Sequence, residues 1–82
     1  MKDIQIIQTL IESKEDSLCL VCLNPVKALK TLVEFLKHKN IIEYFKVNYK
    51  QRTIQYICNG CTLYLRTSSI GYRNRLGGKY YE

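Results

Sequence analysis

A chain of 82 residues, 46% hydrophobic and with a formal net charge of +6, has room for one small domain. That apolar content excludes a disordered protein, and no apolar run is long enough to cross a bilayer. The charge is uneven. Residues 1–23 set Lys2 and Lys14 against Asp3, Glu12, Glu15 and Asp16, a formal −2, whereas residues 24–82 carry eleven basic and three acidic side chains, a formal +8. Such a balance points to an acidic partner, either nucleic acid or an acidic protein surface.

In chain order, Ile4, Ile7, Leu10 and Ile11 recur at helical spacing and predict a short amphipathic helix from an Asp3 N-cap to about Ser13. Ser17 to Leu23 carries a first Cys-x-x-Cys pair, Cys19 and Cys22, on an apolar stretch of Leu18, Leu20, Val21 and Leu23. Asn24-Pro25 starts a second helix, because Asn caps free amides and Pro at the first helical position has no amide to leave unpaired. Val26, Leu29, Leu32, Val33 and Leu36 form its apolar stripe, with Lys27, Lys30, Glu34 and Lys37 on the other faces. Lys39-Asn40 ends it, leaving His38 as a solvated residue of the helix end.

Ile41 to Tyr49 is rich in β-branched and aromatic residues and reads as a strand, with Phe45, Val47 and Tyr49 on one face. After Lys50-Gln51, the alternation from Arg52 to Cys58 predicts the second arm of an antiparallel hairpin. Asn59-Gly60, between Cys58 and Cys61, supplies a residue able to take positive φ. Thr62 to Ile70 fits a strand or a helix. The sequence therefore predicts an α+β fold of order helix, knuckle, helix, β-hairpin, knuckle and C-terminal element. Residues 1–71 form the domain and residues 72–82 a basic, aromatic tail.

The two Cys-x-x-Cys pairs use all four cysteines. Two knuckles supply the four thiolates that a closed, tetrahedral structural zinc site needs, so Cys19, Cys22, Cys58 and Cys61 are the candidate ligands of one structural Zn2+ that staples a small core. Two disulfides, or four unrelated buried thiols, are the alternatives. With no apolar signal segment before Cys19, a reducing, intracellular location is expected. No phosphate-cradling glycine loop and no nucleophile with a base at a recognisable spacing occurs, so the expectation is a non-enzymatic module.

This order resembles one zinc domain of the papillomavirus early protein six, the viral transforming oncoprotein. The residues that carry the resemblance are Leu18-Cys19-Leu20-Val21-Cys22, then Ile54-Gln55-Tyr56-Ile57-Cys58-Asn59-Gly60-Cys61, then Leu63-Tyr64-Leu65-Arg66 and Tyr72-Arg73. The resemblance implies an adaptor in the nucleus or cytoplasm of a host cell that captures an acidic, leucine-rich helical peptide of L-x-x-L-L type. By position it implies a groove of Leu20, Val21, Ile57, Thr62 and Leu65. Lys50, Arg52 and Arg66 would then meet the peptide's acidic side chains.

The alternative is a basic module that binds nucleic acid or the transcription machinery. Arg66, Arg73, Arg75 and Lys79 would neutralise phosphates, while Tyr72, interleaved among them with Tyr64, Tyr80 and Tyr81, would stack on unpaired bases. The sequence places protein recruitment slightly ahead of nucleic-acid binding.

Overall fold

A computed structural model describes the backbone of residues 2–81 and the side chains of residues 2–76. Two helices, α1 (Asp3–Glu12) and α2 (Pro25–His38), cover one side of a mixed sheet. The strands are β1 (Ser17–Cys22), β2 (Phe45–Asn48), β3 (Thr53–Tyr56), β4 (Thr62–Arg66) and β5 (Arg75–Tyr81), in the spatial order β2-β3-β4-β1-β5. Strands β2, β3 and β4 run as an antiparallel meander, and β1 is parallel to both β4 and β5.

The termini of α2 follow from three residues. The Asn24 side chain accepts the Lys27 amide at 3.2 Å, and Pro25 occupies the first turn. At the other end Asn40 adopts φ 58°, so that its amide reaches the Lys37 carbonyl and the Ile41 amide reaches that of Leu36, both at 3.0 Å. This paired closure satisfies carbonyls that a helix end otherwise leaves free. Leu29, Leu32, Val33 and Leu36 are buried as the stripe requires, whereas Val26 in the first turn is exposed. On α1 the inward face is Ile6, Ile7 and Leu10, so the helix is rotated from the expected stripe and Ile4 faces solvent. Lys2, not Asp3, is its N-cap.

The register sorts the strand residues onto two faces. Val47, Ile54, Leu63 and Leu18 stand side by side across four strands, and Leu65, Leu20 and Leu76 across three. These residues meet the buried faces of both helices in one core. The opposite face carries Lys46, Gln55, Thr62 and Ser17 in one row and Asn48, Thr53, Tyr64, Cys19 and Arg75 in the next. Period-two alternation of this kind, clear in β2 and β4, marks strands with one face packed and one left without a covering layer, whereas β1 is buried on both faces.

The predicted hairpin forms with Phe45 opposite Tyr56 and Asn48 opposite Thr53, but its arms are shorter than expected. Ile42–Tyr44 is a turn of 3-10 helix, and Tyr49 lies beyond the end of β2. Thr62–Arg66 is a strand, which settles the helix-or-strand ambiguity of that segment. Residues 75–81 belong to the sheet as its edge strand, with Leu76 only 6% exposed. These residues fall within the stretch 72–82 that the sequence reads as a basic, aromatic tail. Among the described residues no helix is long and apolar enough to cross a membrane.

Candidate functional site

The four cysteines do not converge. Cys19 and Cys22 lie within the continuous strand β1, where a separation of three residues sends side chains to opposite faces. Cys22 joins the core, and its thiol donates to the Leu20 carbonyl at 3.2 Å. Cys19 points to the other face, against the Ser68 carbonyl. Cys61 is buried with its sulfur 3.4 Å from the Ser13 hydroxyl, and Cys58 is exposed. Among the described residues no three His, Cys, Asp or Glu side chains gather as a metal ion would require. The first pair of the zinc site predicted from spacing is a strand here and not a knuckle.

Burial pushes the thiols of Cys19 and Cys22 upward in pKa. For Cys22 the second cause is the neighbouring Cys19, and the result is about 11. Arg66 and Arg75 partly offset the rise at Cys19. Both thiols are therefore protonated at neutral pH, the inert form of cysteine.

The second pair has the geometry that Asn59-Gly60 predicts. Gly60 takes φ 72° and its amide reaches the Tyr56 carbonyl at 2.9 Å, closing the β3–β4 turn. Beside it, hydrogen bonding with Cys58, then burial, raises the Tyr56 phenol above its ordinary pKa.

The peptide groove implied by the papillomavirus resemblance is not assembled. Leu20, Val21 and Leu65 are 1%, 3% and 0% exposed. Leu20 and Leu65 are core residues, and Ile57 stands apart in the β3–β4 turn, exposed. Thr62 is half-buried on the uncovered sheet face. Lys50 and Arg52 sit in the β2–β3 turn, where Arg52 adopts φ 56°.

Arg66 is held by the protein itself. Its Nε donates to the Tyr72 hydroxyl at 2.7 Å, and one terminal nitrogen donates to the carbonyls of Gln51 at 2.9 Å, Arg52 at 3.2 Å and Leu65 at 2.9 Å. The guanidinium lies 5.2 Å from the Tyr64 ring and 5.6 Å from that of Tyr72, and the two rings are 5.2 Å apart. Arg66 thus ties the β2–β3 turn to the segment 67–74. That segment connects β4 to β5 by crossing the uncovered side of β1. Along the way the Asn74 carbonyl accepts the Cys19 amide at 2.7 Å, and the Asn74 side chain donates to the Ser17 carbonyl at 3.3 Å. The crossing explains why Cys19, on the polar face, has no exposure.

What the chain does bring together is a polar, basic sheet face. None of the strands contains Asp or Glu, whereas Lys46, Arg66, Arg75 and Lys79 all fall in strands. Lys46 and Arg75 are exposed, as is Arg73 in the preceding loop, while the side chain of Lys79 lies outside the described residues. Between Lys46, Asn48, Gln51, Gln55, Thr62 and Tyr64 opens a groove of about 350 Å³. Sequence reading passed over Lys46, Asn48 and Gln55. Their signal was available as the positions alternating with Phe45, Val47 and Ile54.

On the helical side, Ile4, Ile7, Ile11, Phe35 and Ile41 line a separate apolar cleft of about 280 Å³ with Lys39 at its rim. No protein-family model matches the chain, nor does any curated protein or solved structure, so the papillomavirus resemblance rests on the residues quoted for it.

Proposed function

We propose that this chain is a nucleic-acid-binding module that works through the uncovered face of its sheet. The observation that carries the reading is the segregation of charge: the carboxylates within residues 2–81 lie on helices and loops, and the strands carry only cations. A surface of one sign attracts a polyanion and aligns it before contact. Tyr64 and Tyr72 add aromatic rings on the same face, which suits bases that a phosphate clamp alone would ignore.

The test is anisotropy titration of labelled oligonucleotides at several salt concentrations, for the protein and for Lys46→Ala, Arg73→Ala and Arg75→Ala. Each phosphate contact removed should flatten the slope of log K against log salt by about 0.7 for a single strand. Binding that is absent, or independent of salt, overturns the reading. Truncating residues 72–82 is a poor substitute, because it deletes β5 from the sheet.

One observation favours the protein-adaptor reading, namely the apolar cleft between α1 and α2. An acidic, leucine-rich helical peptide would place leucines on Ile4, Ile7 and Ile11 and a carboxylate near Lys39. Saturable binding of an L-x-x-L-L peptide, lost on Ile4→Asp at the exposed edge of the cleft and unaffected by Lys46→Ala, would favour that reading. A zinc staple on Cys19, Cys22, Cys58 and Cys61 belongs to the same set of testable alternatives, and it would require β1 to rearrange. Either interaction reading puts the protein inside a cell, where thiols stay reduced.

A further inference from the structure

The groove on the uncovered sheet face differs from the basic surface around it. Its lining is amide, hydroxyl and phenol beside Val47, with Lys46 as its one cation, so it is not built to gather phosphates. A volume of about 350 Å³ falls at the small end of ligand sites.

The polar groups are already partly committed, which fixes what they can offer. The Gln55 side chain donates through Nε2 to the Gly60 carbonyl at 3.0 Å, leaving its oxygen as an acceptor. The Asn48 oxygen accepts the Gln51 amide at 3.0 Å, leaving the Asn48 side-chain nitrogen as a donor. The Gln51 side chain and the Thr62 hydroxyl can do either. On one wall the Tyr64 ring is fixed by Tyr72 and Arg66 and does not have to be ordered when a ligand arrives.

Donors, acceptors and a pre-set aromatic wall around a small space match the edge and face of a heterocycle. From this chemistry, and resting on the nucleic-acid reading above, we infer that the groove seats one unpaired nucleobase beside Tyr64, making the module selective for single strands over duplex. Bases in a duplex have their faces stacked and their pairing edges occupied, so they cannot enter. Exposed Arg73 and Arg75 are left to meet the flanking phosphates.

The test uses the full chain and labelled single strands of DNA and of RNA, with a hairpin duplex of equal phosphate number, titrated at one salt concentration. Single strands of at least one sugar type should bind roughly tenfold more tightly than the duplex, the scale of one base–aromatic contact. Thr62→Phe, which fills the groove, should remove that preference. Gln51→Ala, at an exposed turn position, should weaken single-strand binding severalfold without the risk of misfolding that Thr62→Phe carries. Equal affinity for single strand and duplex overturns the groove assignment while the nucleic-acid reading stands. So does wild-type single-strand affinity in Gln51→Ala together with a folded Thr62→Phe, folding being checked by thermal melting. Failure to bind any oligonucleotide overturns both.

Discussion

The Asn59 side-chain amide donates to the Leu10 carbonyl across 2.9 Å, joining the β3–β4 turn to the last turn of α1. The same nitrogen lies 3.2 Å from the Ile11 carbonyl and 3.1 Å from that of Ser13, and the Asn59 oxygen accepts the Cys61 amide at 2.9 Å. A helix with no basic residue in its last turn is thus capped by a residue far away in sequence. Asn59→Ala should cost about 1–3 kcal/mol in urea unfolding, the scale of a few lost hydrogen bonds. Asn59→Asp should cost more, since it sets a carboxylate against carbonyl oxygens. Equal stability of both variants and the wild type would show that α1 does not depend on this contact.

Arg66 gives a second test. Lysine keeps the charge but lacks the planar fork that reaches Tyr72 and the Gln51 and Arg52 carbonyls together. Arg66→Lys should therefore lower stability by about 1–3 kcal/mol. It should also increase hydrogen exchange in the segment 67–74. A neutral result would mean that charge alone holds that segment.

The cysteines separate the arrangement described above from a metal staple. Cys58 is exposed, so Cys58→Ser should change stability by less than about 0.5 kcal/mol, while Cys61→Ser, in the core, should cost clearly more. A four-sulfur zinc site would make the two equally damaging. Elemental analysis of each variant decides the matter, and one zinc per chain lost on Cys58→Ser would establish the metal reading.

Cys22 predicts a pH dependence whose sign follows from burial. Its pKa is raised from an ordinary value of 9.0 to about 11 in the folded protein, so the unfolded chain releases the proton first. Its contribution to stability is fully present below pH 9 and is lost as pH rises toward 11. Melting temperature should fall over that interval, and Cys22→Ala should show a shallower fall than the wild type. Parallel curves would exclude Cys22 as a source.

The parts of this fold that were legible in the sequence are those written in local chemistry. Asn24-Pro25 and Asn40 bound α2, Leu29 to Leu36 bury its face, and Gly60 turns the chain where a positive φ is needed. The parallel pairs were hidden, because β1 finds its partners at Thr62–Arg66 and Arg75–Tyr81, and no local pattern announces a partner that distant. The first cysteine pair is open to two local readings. Cys19 and Cys22 have knuckle spacing, yet the unbroken apolar run Leu18 to Cys22 is also that of a strand buried on both sides. At the candidate site, the basic and aromatic types were visible around Arg66 and Tyr72. That Arg66 spends its donors inside the protein was not.

The position of β5 bears on how the molecule is made. Cys19 pairs with Arg75 and Leu20 with Leu76, so the edge of β1 stays without a partner until residues 75–81 have been synthesised. A nascent chain carrying α1, β1 and α2 presents an apolar strand with unpaired amides, ready to pair with another copy. Closure by two parallel pairings of long sequence separation also places this protein among slow folders for its size. Yield on expression should then depend on temperature and on chaperone supply more steeply than the stability of the finished fold would suggest.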